Sequence, residues 1–174
     1  MAAHHEVHLE SYVVKKLVES GWVEGHNSHY DPVRALYPED VVGWVKDSQP
    51  QTWEKLTRLN GVDAEKSLLD RLEKALSAKT GGTMKVLRQG FDMAGCGNIA
   101  MSQAAPEDAR NIKEVEKYQN NILRIVRQLK YCPTREWAID LGLFINGLPV
   151  ATLELKTDFT QAIDDAILQY KQDR

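Results

Sequence analysis

The stretch AIDLGLFINGLPVATLELK, Ala138 to Lys156, changes character every second residue on both sides of an Asn-Gly pair. Ile139, Leu141, Leu143 and Ile145 form one apolar face of a strand, and Asp140, Gly142 and Phe144 form the other. Asn146-Gly147 is a strong hairpin turn signal. In the return strand Ala151, Leu153 and Leu155 share a face, and Thr152, Glu154 and Lys156 share its opposite. Directly opposed residues project to the same face, so the odd-numbered apolar sets must oppose one another. That requires an odd number of loop residues. The spacing predicts a three-residue loop with glycine at a bulge in preference to a two-residue turn. It also puts Asp140, Glu154 and Lys156 on one face of adjacent strands.

Those residue types in that arrangement suit a defined chemistry. Neighbouring carboxylates repel unless a cation or a proton lies between them. A hard ion such as Mg2+ binds through one or two carboxylates and keeps several waters, which suits Asp140 and Glu154. A lysine two residues after the glutamate points the same way along the strand and can stabilise charge on a phosphate. The competing explanation is the solvated face of a half-buried hairpin, where Asp, Glu and Lys are ordinary.

Upstream of the hairpin, Ile122 to Tyr131 is expected to be a strand, with a helix left open. The Gly81-Gly82 pair separates a helical N-terminal half from this sheet-rich part. Thr83 to Arg88 and Asn98 to Ser102 are predicted strands around a Gly90–Gly97 loop, and residues 103–121 a loop with a short helix. In the N-terminal half, a helix from Leu9 to Ser20 carries the stripe Leu9, Val13, Val14, Leu17 and Val18. Glu10 falls inside that apolar arc, where an unpartnered charge is costly. Residues 22–37 are expected to be a loop. Helices follow at Pro38 to Lys46, at Pro50 with Trp53, Leu56 and Leu59, and after Asp63 with Leu68, Leu69, Leu72 and Leu76.

At 174 residues the chain is long enough for one domain with appendages, and 43% hydrophobic with 27% charged content excludes disorder throughout. Lys and Arg number 22 against 25 Asp and Glu, a formal charge of −3. This argues against a stand-alone protein that grips nucleic acid by bulk charge. Cys96 and Cys132 form no CxxC, so neither a disulfide framework nor a zinc site is expected, and a reducing compartment fits. No apolar run reaches the roughly 18 residues of a membrane span, and Met1 to Glu10 lacks a signal peptide's apolar stretch. His4, His5 and His8, and likewise His26 and His29, are poor metal sites. The Gly90–Gly97 loop lacks the ending of a P-loop, so no ATP site is expected in this chain. Cys132 fits a packing role.

Asp140 followed across a hairpin by Glu154-Leu155-Lys156 resembles the D…ExK signature of the PD-(D/E)xK nucleases. The text around it, LFINGLPVATLELKT and then QAIDDAILQYKQDR, resembles the nuclease domain at the N-terminus of the type I restriction enzyme R subunit. LESYVVKKLVESGW and YPEDVVGWVKDSQPQTWEKL resemble that subunit's opening region. The resemblance implies an α/β (α+β) fold, a mixed β-sheet flanked by helices with a restriction-endonuclease-like core. It implies Mg2+-dependent cleavage of double-stranded DNA, with Mn2+ as a substitute, by a type I site-specific deoxyribonuclease. Asp140 and Glu154 match the metal-binding acids, Lys156 the catalytic lysine, and the Leu155 backbone carbonyl a further metal contact. A glutamate on the first helix of some members would account for Glu10; a salt-bridged boundary residue is the alternative. Gln169, Tyr170, Arg124 and Lys171 are candidate DNA or active-site contacts. The family's Q-x-x-x-Y spacing is absent, however, and Tyr170 also fits a packing stripe.

The implied partners are DNA and the methylation and specificity subunits of a cytoplasmic, prokaryotic restriction complex. Residues 1–174 are expected to form a single nuclease domain, helical over about 1–80 and sheet-rich over about 81–174. The chain ends at Asp173-Arg174 within a helical pattern, which suggests a piece of a longer chain with helicase-like motor domains; ATP would act only there. A domain held on DNA by its neighbours needs little affinity of its own, which agrees with the charge. The alternatives are a non-catalytic docking module of a DNA-processing complex and a junction-resolvase-like nuclease.

Overall fold

Prolines open two of the helices, at the first helical position where the missing N–H costs nothing. These are α2 (Pro38–Ser48) and α3 (Pro50–Asn60). The computed structural model describes residues 2–155, with side chains from Val7 onward. Before α2 come α1 (Ala2–Glu19) and the short strand β1 (Val23–Gly25). After α3 come α4 (Ala64–Ser77), α5 (Thr83–Gln89), β2 (Phe91–Met93), β3 (Gly97–Ile99) and α6 (Ile112–Gln119). The chain then forms β4 (Leu123–Lys130), β5 (Ala138–Ile145) and β6 (Leu148–Leu153).

A four-stranded sheet in the order β1-β4-β5-β6 is mixed, with β1 parallel to β4 and the remaining pairs antiparallel. β2 and β3 form a separate two-stranded sheet. The expected mixed sheet flanked by helices is therefore present. One face of the larger sheet packs Ile125 and Leu141 against Val14 of α1. The other carries Val126 and Phe144 against Tyr37. A third cluster joins α2, α3 and α4 to the small sheet through Trp44, Leu56, Leu68, Leu72, Phe91 and Ile99, with Leu148 reaching in from β6. Among the described residues no helix is long and apolar enough to cross a membrane.

Several expectations need correction. Thr83 to Arg88 is the helix α5, not a strand. Its Met, Lys, Leu, Arg and Gln are good helix formers, and it runs between Gly82 and Gly90, both at positive φ. Residues 22–37 are not merely loop: β1 lies in them, as does a bridge between Asp31 and Leu36. Helix α1 begins well before Leu9. Asp63 stands at the start of α4 without a side-chain capping bond.

The hairpin turn also differs. Ile145 pairs with Leu148, so the loop is the two residues Asn146 and Gly147, at φ +49° and +82°. Positive φ at both positions is the type I′ geometry that suits twisted strands. The change of parity occurs inside β6 instead. Phe144 pairs with Pro149 but Leu143 with Ala151, leaving Val150 as the extra residue of a bulge. Only glycine suits the second turn position, because a Cβ at Gly147 would lie 2.5 Å from both the Tyr37 carbonyl oxygen and Val41 Cγ2. Beyond the bulge, Leu141 opposes Leu153 and Leu143 opposes Ala151, so the odd-numbered apolar sets do face one another.

Candidate active site

The open end of the hairpin brings Asp140 to the start of the Glu-Leu-Lys segment. Leu141 pairs with Leu153, and the same register carried one residue further sets Glu154 across from Asp140. The ladder stops there. Asp140 Oδ2 instead accepts a hydrogen bond from the Leu155 backbone N–H at 2.6 Å. A carboxylate that takes a backbone N–H of the neighbouring strand closes the distance between them and fixes one of its two oxygens. Asp140, Glu154 and Leu155 are all half-buried. The Leu155 side chain packs with Leu141 and Leu153 on the α1 side of the sheet, which anchors the backbone on either side of Glu154.

Lys156, Gln169, Tyr170 and Lys171 lie outside the described residues, as do the side chains of His4 and His5. Among the described residues no group of three or more His, Cys, Asp or Glu could hold a metal ion. A Mg2+ site needs only one or two carboxylates with waters completing the shell, so the Asp140–Glu154 pair still fits that ion.

Glu10 is answered by partners on β4. Its side chain is 13% exposed and 3.2 Å from Arg127 Nη1, while Gln128 Nε2 donates to its Oε2 at 2.9 Å. Arg127 also reaches Glu24 at 2.6 Å. Burial alone would lower the pKa of the Arg127 guanidinium, but its hydrogen bonds to Glu24 and Glu10 outweigh this and raise it. The acid on the apolar arc of α1 is thus paired and bonded. Gln128, which links α1 to the strand beside Asp140, carried no sequence signal: a glutamine within an alternating strand resembles any solvated position.

Arg124 is set elsewhere. Its Nε and Nη2 each donate to Asp40 at 2.6 Å, and its guanidinium stacks 4.4 Å from the Tyr37 ring centroid. The side chains are 13% and 4% exposed, so the pair belongs to the packing between β4 and α2. The hydrogen bond to Asp40 holds the guanidinium's pKa above its ordinary value. His26 Nδ1 is bonded to Ser28, and His29 Nδ1 to Glu39. Cys132 lies beside Thr134, whose hydrogen bond lowers the thiol's pKa.

Comparison with curated proteins and with solved structures gave no match. The model of the family described as type I restriction enzyme R protein N terminus (HSDR_N) matches residues 34–174, a span that takes in Asp140, Glu154 and Lys156 but not α1. The chain therefore belongs to the family of type I restriction enzyme R protein N-termini, with a role in a restriction system.

Proposed function

We propose that the chain is the nuclease domain of a type I restriction R subunit and cleaves DNA phosphodiester bonds with Mg2+. The observation that carries this reading is the 2.6 Å bond from Leu155 N–H to Asp140. It ties one acid to the backbone between the second acid and the lysine of an ExK segment. Asp140 and Glu154 would hold the ion, and the Leu155 carbonyl would add a third oxygen. Bound there, a divalent ion supplies Lewis-acid stabilisation of charge on the phosphodiester. Lys156 contributes a cation two residues beyond Glu154, to orient water or offset charge on the phosphoryl oxygens. In the reaction the water oxygen bonds to phosphorus, one P–O ester bond breaks, and a proton passes to the departing oxygen. This reading includes a restriction-endonuclease-like core, and the four-stranded mixed sheet supports it.

DNA and the methylation and specificity subunits are the proposed partners, with ATP acting only through motor domains of the full-length subunit. The test is Asp140→Ala and Lys156→Ala in the assembled restriction complex. Each is expected to lower the cleavage rate at least about a hundredfold, because several kcal/mol of charge stabilisation is removed and each ~1.4 kcal/mol is tenfold. Assembly and the circular dichroism spectrum should be unchanged. Full cleavage by both variants would leave the chain as a docking module instead.

A further inference from the structure

The ladder between β4 and β5 runs from Leu123 opposite Ile145 to Lys130 opposite Ala138, and one step is missing: Gln128 opposite Asp140. Gln128 has φ +47°, a left-handed value uncommon outside glycine. The consequence is visible in the packing. In a regular strand Leu129 would share a face with Ile125 and Arg127. Instead it clusters with Val126 and Phe144 on the opposite face, and a Cβ added at Gly142 would lie 2.6 Å from its Cδ2. Its pairing partner Ile139 packs there too, whereas Leu141 lies on the α1 face with Val14. Both strands therefore change faces at the same step, and in β5 the residue at the change is Asp140. Its carboxylate reaches across to β6 and the Leu155 N–H.

A strained backbone persists where its surroundings over-determine it, and such positions cluster at functional sites. Here α1 supplies the restraint. Glu10 takes the Gln128 amide on one oxygen and the Arg127 guanidinium on the other, so two consecutive residues of β4 are held from the same side. We propose that Gln128 is a positioning residue: its left-handed turn, fixed by Glu10, breaks the ladder and aims the Asp140 carboxylate at the Glu154-Leu155 backbone. The use of that aim for metal rests on the function proposed above; the aim itself does not.

The test compares Gln128→Ala and Gln128→Gly with wild type and Asp140→Ala, using the full 174-residue chain. Glycine adopts positive φ freely, so that variant removes the bond to Glu10 without adding strain. The first readout needs no metal: the chemical shift and hydrogen exchange of the Leu155 amide, with the Leu68 amide as a distant control. Both Gln128 variants should shift the Leu155 amide toward its position in Asp140→Ala and speed its exchange at least about tenfold. Leu68 should be unaffected. The second readout is calorimetric titration with Mn2+, where loss of a partner behind a metal ligand weakens affinity by about 10–100-fold. Wild-type behaviour of Leu155 in the glycine variant would overturn the proposal, because the Glu10 bond would then be dispensable. If Leu155 responds while wild type binds no Mn2+, the positioning role stands and the metal reading fails.

Discussion

At its turn the β5–β6 hairpin is buried and densely bonded, whereas at its open end it is half-exposed and its ladder is broken. Asn146, fully buried, accepts from Ile122 N–H at 2.7 Å and donates to the Met101 carbonyl and to Asn121 Oδ1, each at 2.9 Å. The Gly147 carbonyl accepts from Tyr37 N–H at 2.9 Å. Near the same end, Arg124 and Asp40 make their buried pair beside Phe144. At the other end Asp140 leaves the ladder, and its carboxylate accepts from the Leu155 N–H instead. The strands thus gain their register at one end and are free to depart from regular pairing at the other.

The largest stability effect should come from the rigid end. Asp40→Ala leaves the buried Arg124 guanidinium to the more exposed Glu39 carboxylate, 3.4 Å away, and a loss of about 3–4 kcal/mol is expected in chemical denaturation. A loss below about 1 kcal/mol would mean the pair behaves as a surface contact and the two ends are less different than described. Asn146→Ala should follow at about 2–4 kcal/mol, since it strands the Ile122 N–H and the Met101 carbonyl and puts alanine at positive φ. In the fraction that remains folded, the Leu155 amide should be unchanged. A coupled shift would show that the turn controls the open end.

The smallest effect concerns pH. Tyr30 packs against Phe144 with ring centroids 5.7 Å apart, and burial, aided by the Asp31 charge, raises its pKa to about 12. A folded-state pKa above the unfolded one means stability present below about pH 10 and lost as pH rises toward 12. Tyr30→Phe should flatten that part of the stability–pH curve, which thermal melts in alkaline buffers will read.

Much of this was legible in the sequence. The helices from Pro38 and Pro50, the leucine stripe of α4 and the strands β5 and β6 follow from local chemistry, although Ile139, expected on the face of Leu141, packs on the opposite one with Phe144. So does the approach of Asp140 to the Glu154-Leu155 segment. What the sequence hid depends on distant neighbours. Strand β1 has three residues and no pattern; its parallel pairing needs Gly25, where a Cβ would sit 2.6 Å from Arg124 Cδ. The two-residue turn sits tight against Tyr37 and Val41 at Gly147, and the parity change falls at Val150 instead. The break at Gln128 depends on Glu10, more than a hundred residues earlier. Glu10 stood out as a charge on an apolar arc, with a metal site or a salt bridge as its readings, and its partners Arg127 and Gln128 emerged only with the tertiary structure.

If the irregular end of the hairpin carries the chemistry, paramagnetic broadening by Mn2+ will be centred there. Substoichiometric Mn2+ added to the isotopically labelled chain should broaden the amides of Asp140, Glu154 and Leu155 and spare those of Asn146 and Gly147. Asp140→Ala should abolish the effect. Broadening centred elsewhere, or unchanged in Asp140→Ala, would contradict the assignment of the site to the open end.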